Sequence, residues 1–241
     1  MVKDSVAHPV IASRQAWLER RLELLSHEKE ITRLRDRVIA ERRRLPMVKL
    51  EKEYQFEGPN GTVSLLDIFE GRRQLIVYHF MFDPEWERGC GGCTWYVNSQ
   101  SNLGGLAARD VTFALISRAP YPKLAAYKAE KGWTYPWYSS FGSDFNYDFD
   151  VTHDESVAPI DYNWMGREAL LKRRQGEVKG EDHGLSVFFS LDGEVYHTYS
   201  MYARGVEDTI GLNYLLETTP FGRQEDWEDS PIGWPQQPTY G

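Results

Sequence analysis

The chain has 241 residues, of which 41% are hydrophobic and 27% charged, and its formal net charge is −8. That length and apolar content suffice for one large domain with extensions, and disorder is not the default at this composition. The negative balance argues against nonspecific nucleic-acid binding, and the longest apolar run, LIVYHFMF, is far short of a membrane span. The first residues, MVKDSVAHPVIASRQ, lack the basic start and apolar core of a signal peptide. A cytoplasmic location is therefore expected, where a cysteine pair serves catalysis more often than architecture.

Residues 13–44 read as helix, with Ser13 as N-cap and Pro46 just past the end. Leu18, Leu22 and Leu25 share one face, and Ile31, Leu34 and Val38 continue at helical spacing. Ser26 before HEKE would also suit the start of a second helix, so one helix and a helical pair are both open. This segment carries ten basic and six acidic side chains, a net of +4 that leaves −12 for the rest. The apolar stripe needs cover, from the chain's own body or from a second copy, and a homodimer through this helix is one expectation.

The body opens with KEYQFEGPNGTVS, where Asn60-Gly61 between alternating segments signals a hairpin. SLLDIFEG reads as a short helix ended by Gly71. QLIVYHFMF, residues 74–82, is a strand of the kind buried on both faces, and DVTFALIS, residues 110–117, is another. The stretch between, TWYVNSQSNLGGLAAR, has helical length, and strand, helix, strand makes a parallel βαβ unit. LAAYKAEKG is a helix stopped by Gly132, and the proline in WTYPWYSS confines that short strand to an edge. Residues 141–185 are irregular, with a short helix around Arg167–Arg174. SVFFSLDGEVYHTYS is a hairpin turning at Asp192-Gly193, and Val206–Leu216 is a closing helix with Val206, Ile210 and Tyr214 on one face. The end, QEDWEDSPIGWPQQPTYG, reads as an acidic, proline-rich extended tail. The order predicts an α/β three-layer fold with a mixed sheet and an N-terminal helical extension. It divides into an arm at 1–46, a domain at 47–222 and a tail at 223–241.

The chain has only two cysteines, Cys90 and Cys93, and both fall directly after the first buried strand. Reactive groups gather at the carboxyl ends of strands in open α/β sheets, and free N–H groups at a helix start stabilise a thiolate. One helical turn of separation brings the α-carbons within the ~4.4–6.8 Å that a disulfide tolerates. In that geometry Cys90 attacks as thiolate and Cys93 closes the ring. Arg88 favours the thiolate, while Glu85 and Glu87 oppose it if they face the sulfur. A zinc site would need two more ligands, and His8, His27, His79, His153, His183 and His197 offer no second tight pair. An inert buried pair is the remaining alternative. His79 alternates with apolar neighbours and reads as a satisfied core histidine. The aromatics of residues 133–149 fit core packing or, alternatively, a substrate groove.

SLLDIFEGRRQLIVYHFMF followed by a cysteine motif resembles the peroxiredoxin and thioredoxin-like superfamily. More closely, the chain resembles the branch catalogued as domain of unknown function 899, often labelled predicted dithiol-disulfide oxidoreductase. The resemblance is carried by EKEITRLRDRVIAERRRLP, LIVYHFMFDPEWERGCGGCTWYVN, ARDVTFALISRAPYPKLAAYKAEKGW, YPWYSSFGSDFNYDF, HGLSVFF and VYHTYSMYARG. It implies a thioredoxin-like fold with Cys90 and Cys93 as the redox pair, and it supplies no substrate. Glu87 stands where peroxiredoxins carry threonine or serine. Gly89 precedes the motif where thioredoxins have tryptophan, and Gly91-Gly92 replace a proline-containing pair. His183, Gly184 and Leu185 occupy the place of the thioredoxin cis-proline loop, without a proline.

The expected function is thiol-disulfide exchange with Cys90 as nucleophile and Cys93 as resolving thiol, the site shaped by Trp86, Arg88, Gly89, Gly91, Gly92, His183, Gly184 and Leu185. The alternatives are a thiol peroxidase using Cys90 and a redox-sensing or binding module without turnover. No cofactor or metal is expected. The expected partners are a disulfide-containing substrate or an electron-donor thiol system, with no nucleic acid and no membrane.

Overall fold

A computed structural model describes residues 7–100, 102–173 and 179–239. The chain divides into two units, residues 47–211 and a second that gathers 1–46 with 212–241. In the second unit, α1 (Arg14–Arg42) is one continuous helix capped by Ser13, whose Oγ accepts from the Ala16 amide at 3.2 Å. The alternative break at Ser26 does not occur: its hydroxyl donates to Glu23 O at 2.8 Å and stays within the helix. No α1 side chain is buried, and Leu22, Ile31 and Leu34 are exposed.

The body runs β1 (Val48–Lys49), β2 (Gln55–Gly58), β3 (Gly61–Ser64), α2 (Leu65–Ile68) and β4 (Gln74–His79). It continues through α3 (Gly91–Asn98), α4 (Gly104–Ala107), β5 (Val111–Ser117), α5 (Tyr121–Lys131) and β6 (Trp137–Ser139). Then come α6 (Phe145–Asp148), β7 (Thr152–His153), α7 (Gly166–Arg173), β8 (Gly180–Glu181), β9 (Gly184–Leu191), β10 (Glu194–Tyr202) and α8 (Arg204–Glu207). One sheet has the order β1-β10-β9-β4-β5-β6-β2-β3, and β7-β8 form a separate pair. β4, β5 and β6 are parallel, while β9 runs antiparallel to β4. This is a three-layer α/β arrangement around a mixed sheet.

Period-two alternation divides the core. Tyr78 and Phe80 face α3, α5 and α8, packing with Cys93, Tyr96, Leu124 and Val206. Leu75 and Val77 face α2 and α6, packing with Ile68, Phe145 and Phe149. A third cluster, Val151, Ile160, Tyr162, Leu170 and Tyr202, lies under the segment that carries α7. Among the described residues no helix is long and apolar enough to cross a membrane.

Several local expectations need correction. The expected helix of residues 94–109 is two helices, α3 and α4, because Asn102 Oδ1 accepts from the Gly104 amide at 2.8 Å and restarts the chain before a Gly-Gly pair. β6 is not an edge strand, since it pairs with β5 through Leu115↔Trp137 and with β2 through Glu57↔Ser139. Pro136 lies just before it, so no ladder donor is lost. The first hairpin loop is Pro59–Asn60 with Gly61 already in β3, whereas Asp192 and Gly193 do form the second turn, both at positive φ. The closing helix is interrupted near Gly211, giving α8 and α9 (Gly211–Glu217). Val206 and Ile210 are buried, but Tyr214 is exposed and carries the Arg35 guanidinium 5.1 Å above its ring. Residues 141–185 hold the expected short helix as α7 and, beyond expectation, α6, β7 and β8; Arg174 of the expected helix lies outside the described residues, as do residues 1–6 and 240–241 of the arm and tail. The segment after residue 222 folds back on itself, with the Gln237 amide donating to Gln224 O at 2.7 Å and the Thr239 amide to the buried Glu225 carboxylate at 2.9 Å.

Candidate active site

The strand β4 ends at His79 and the chain leaves its carboxyl end through Phe80–Gly89 to Cys90, the N-cap of α3. That loop is fastened at several points. The Asp83 side chain accepts from the Glu85 amide at 2.8 Å, and Lys123 of α5 donates to Pro84 O at 2.7 Å and Trp86 O at 2.8 Å. The Cys90 amide returns to Met81 O at 3.0 Å. Gly89 passes so close to the core that a Cβ there would stand 2.6 Å from the Phe80 ring, so only glycine fits.

Cys90 is half-buried and Cys93 is buried at 2% exposure, and both are free thiols. The Cys93 amide points at Cys90 Sγ at 3.5 Å, and the Thr94 hydroxyl donates to Cys90 O at 2.8 Å. The Cys90 thiol is pushed down to about 6: the Cys93 thiol donates a hydrogen bond to it, burial opposes this, and the amides of Cys93 and Gly92 add further donors. Cys93 is raised well above the ordinary thiol range, first by burial and then by its bond to Cys90 and the charge there. The Tyr78 hydroxyl and the Met81 amide, 3.4 Å from Cys93 Sγ, hold this sulfur from below. One sulfur is acidic and reachable, and the other is a protonated donor one turn away.

The other expected site residues separate into two groups. Gly91 and Gly92 form the first turn of α3, and Leu185 is buried in the same apolar cluster as Cys93. Gly184 pairs with His79 across the sheet, and a Cβ on it would meet the Tyr202 ring at 2.6 Å. His183 directly precedes β9, and its carbonyl accepts from the Tyr162 hydroxyl at 2.8 Å. Among the described residues no peptide bond is cis. Arg88 does not act on the sulfur: it pairs with Glu130 of α5 and lies 5.6 Å over the Tyr127 ring. Trp86 sits half-exposed on the loop crest, 36% accessible. Neither Arg88, Glu85 nor Glu87 is among the causes of the Cys90 shift. The aromatics of 133–149 are mainly core: Trp137 packs on Phe80, and Phe145 and Phe149 fill the opposite face.

Two site residues escape the sequence reading. Tyr78 lies beneath Cys93, and strand periodicity was the available signal, since 76, 78 and 80 share the helix-covered face. Arg118, after β5, bonds the Tyr147 hydroxyl at 2.9 Å and lies 3.4 Å from both Asp83 and Glu181. It thereby ties the loop that carries the nucleophile to the segment that leads into β9. Burial pushes the Glu181 carboxyl up to about 7, although Arg118 and the Thr152 hydroxyl draw it down. Nothing local in the sequence marks this bridge, because its partners are far apart in the chain. Among the described residues no cluster of His, Cys, Asp and Glu is arranged to hold a metal ion.

The two cysteines thus lie at the amino end of a helix that leaves a central parallel strand of a mixed sheet. The chain belongs to the family described as bacterial protein of unknown function, DUF899, which matches residues 6–240. No curated protein matches it in sequence. Among solved structures it is similar to the peroxidoxin BcpB of Mycobacterium tuberculosis, at 13% identity and a TM-score of 0.45, covering 69% of this chain and 92% of that one. It is also similar to a mutant of PrxQ from Xylella fastidiosa, at 14% identity and TM-score 0.45, covering 71% and 96%. A third is the bacterioferritin comigratory protein of Xanthomonas campestris, at 14% identity and TM-score 0.42, covering 66% and 88%.

Proposed function

We propose that this protein is a dithiol-disulfide oxidoreductase. The observation that carries the reading is the asymmetry of the pair: Cys90 is half-buried with its thiol pushed down to about 6, and Cys93 is buried beneath it with its thiol held up. The Cys90 thiolate attacks one sulfur of a substrate disulfide, forming a Cys90–substrate bond and expelling the other sulfur as a thiolate that takes a proton from water. Cys93 then loses its proton and attacks Cys90 Sγ, closing the Cys90–Cys93 disulfide and releasing the second substrate sulfur as a thiol. Two electrons pass from the protein dithiol to the substrate, and an electron-donor thiol system restores the dithiol. The two sulfurs complete this chemistry without a cofactor or metal.

The test is mass spectrometry of wild type and Cys93→Ser after exposure to a disulfide. Wild type should form one intramolecular disulfide, and Cys93→Ser should hold a mixed disulfide on Cys90. Thiols that resist a small alkylating agent in the native protein would end this reading. Peroxide consumption that survives Cys93→Ser, given added thiol, would replace it with a peroxidase. A pair that oxidises once without turnover would make it a sensor. For residues 13–44, with net charge +4 against −12 elsewhere, the partner reading is a second copy of this chain. Light scattering that returns a monomer at micromolar concentration would exclude it.

A further inference from the structure

The segment that follows β5 grips the loop leading to Cys90 at successive residues. The Ala119 amide donates to Phe82 O at 2.8 Å, and Lys123 of α5 holds Pro84 O and Trp86 O. Arg118 adds a grip of another kind. Its Nη2 donates to Asp83 Oδ2 at 3.4 Å, while its Nη1 donates to the Tyr147 hydroxyl at 2.9 Å and stands 3.4 Å from Glu181 Oε1. One guanidinium thereby joins the loop, α6 and β8. The other Asp83 oxygen accepts from the Glu85 amide at 2.8 Å, so the carboxylate that meets Arg118 also shapes the turn. The Cys90 amide returns to Met81 O at 3.0 Å, which carries any shift at the start of the loop to the nucleophile.

The two carboxylates differ in how far water reaches them. The side chains of Arg118 and Asp83 are 20% and 21% accessible, whereas that of Glu181 is 1% accessible. A pair as open as Arg118 and Asp83 contributes little by itself, because solvent screens it. A sealed carboxylate is a fixed anchor instead, and it carries charge only where a cation and donors compensate it. A guanidinium committed to one anion closes to about 2.7–2.9 Å. Here both carboxylate contacts stand at 3.4 Å, so the guanidinium is shared.

Burial lifts the Glu181 carboxyl to about 7, against two groups that favour its charge. These are Arg118 and Thr152 of β7, whose hydroxyl donates to Glu181 at 2.9 Å. Asp83 from the loop and Asp182, directly after β8, oppose ionisation. Asp182 is itself 3.0 Å from the buried His153. Tyr147 of α6 meets Arg118 at 2.9 Å, and Lys179 pairs with Asp154 at 3.1 Å. One proton therefore changes the charge of this hub near neutral pH.

We propose that Arg118 is a positioning residue for Cys90 and that the charge on Glu181 sets its grip. With Glu181 ionised, the guanidinium binds β8 and the loop together, and the nucleophile is held in line for attack. With Glu181 protonated, the solvent-screened pair with Asp83 is what remains to Arg118, and the start of the loop is freer. A displacement of about 1 Å can slow an attack by ~100-fold, so a small freedom is enough to be read. This inference rests on the exchange reading above and adds the residues that orient its nucleophile. The bonds made and broken are unchanged.

The experiment compares wild type, Glu181→Gln, Asp83→Asn and Arg118→Lys at about pH 5.5 and about pH 8.5, either side of the Glu181 transition. Asparagine keeps an oxygen for the Glu85 amide, and lysine keeps the charge of Arg118 without its fork. One readout is hydrogen exchange of the peptide spanning residues 80–90, corrected for intrinsic rates. The other is the single-turnover release of a chromophoric thiol from a disulfide, divided by the Cys90 thiolate fraction of the same protein. At the lower pH wild type and Glu181→Gln should coincide in both. At the higher pH wild type should be at least threefold better protected and attack at least threefold faster, and all three variants should lack that rise. Coincidence of wild type and Glu181→Gln at both pH values overturns the inference. So does an equal offset at both, which is the mark of a merely structural role. Should Glu181→Gln melt early, Asp83→Asn is judged by the same outcomes, because its side chain reaches solvent. If no disulfide is attacked by any of the proteins, the exchange reading fails, and hydrogen exchange alone decides for or against the grip.

Discussion

Tyr78 and His79 are neighbours on one strand and point to opposite faces of the sheet, and the two faces treat a titratable group in opposite ways. Toward α3, the sulfurs of Cys90 and Cys93 meet hydrogen-bond donors, and one of them reaches solvent. Toward α6, His79 stacks against the adjacent rings of Phe145 and Phe149, at 5.6 and 5.9 Å, and its Nε2 meets the Ser186 hydroxyl at 2.8 Å. From there hydroxyl contacts of 2.8 Å run through Ser200 to His197. Among the described residues His79 Nδ1 has no hydrogen-bond partner, and burial pushes the ring down to about 3, so it stays neutral. Burial alone makes an inert group, whereas burial combined with donors and an opening makes a reactive one.

The comparison breaks most sharply by substitution on each face. Cys90→Ser should reduce disulfide exchange to background with little change in melting, because a hydroxyl at a half-buried helix cap neither attacks sulfur nor disturbs packing. His79→Asp should do the reverse, costing about 3–5 kcal/mol of stability through an uncompensated buried charge. Denaturant titration and an exchange assay on both variants check this. A His79→Asp protein as stable as wild type would show that this face is not sealed.

Acid should distinguish the faces next. His79 has a folded pKa of about 3 against an unfolded 6.5, so between those values the unfolded chain binds more protons. Its contribution is complete above pH 6.5 and is lost as pH falls toward 3, at about 1.4 kcal/mol per pH unit. Glu181, raised from 4.5 to about 7, slopes the other way, favouring the fold below pH 4.5 and losing that contribution as pH rises from 4.5 to about 7. Asp150, raised to about 6 by burial, acts in the same sense. The difference between wild type and His79→Asn, which keeps a hydrogen-bonding side chain but no titration, isolates the histidine. Parallel stability–pH curves for the two proteins would refute the buried neutral imidazole.

A smaller effect sharpens the dithiol face. Iodoacetamide alkylation of Cys90 should show a midpoint at about pH 6. Cys93→Ala removes the thiol that donates to Cys90 and should raise that midpoint by about 1–2 pH units, the equivalent of a hydrogen bond to a charged group. An unmoved midpoint would assign the acidity to the helix amides alone.

Much of this was legible from residue patterns. Two near-continuous apolar runs gave β4 and β5 as buried parallel strands, and the cysteines directly after the first run placed the dithiol at a helix start. The errors came where single residues compete with periodicity: Asn102 restarting a helix before Gly104, or the chain breaking near Gly211. A proline in WTYPWYSS suggested an edge, yet it precedes the strand, and β2 continues the sheet beyond. The least legible parts were long-range. Arg118, after β5, reaches Glu181 of β8, far along the chain, and Trp164 lies at positive φ inside a stretch without periodic signal.

The smallest expected effect lies under the dithiol. Tyr78 stacks on Tyr96 with ring centroids 4.0 Å apart, and its hydroxyl bonds Cys93. Tyr78→Phe keeps the stack and removes only the oxygen, so packing is nearly conserved and the melting temperature should hold. The hydroxyl favours the charged form of Cys93, the form that must attack Cys90 in the second step. Losing one such donor costs about 0.5–1.5 kcal/mol, which is a slowing of roughly twofold to tenfold in ring closure. The first step uses Cys90, whose acidity does not draw on Tyr78, so formation of the mixed disulfide should proceed at the wild-type rate. Stopped-flow release of a chromophoric thiol reports the first step, and quenched mass spectrometry of the mixed disulfide reports the second. A variant that accumulates the mixed disulfide longer than wild type supports the role of the phenol. If both steps slow together, Tyr78 acts through packing alone, and the two faces of the strand differ less than the hydrogen bonds imply.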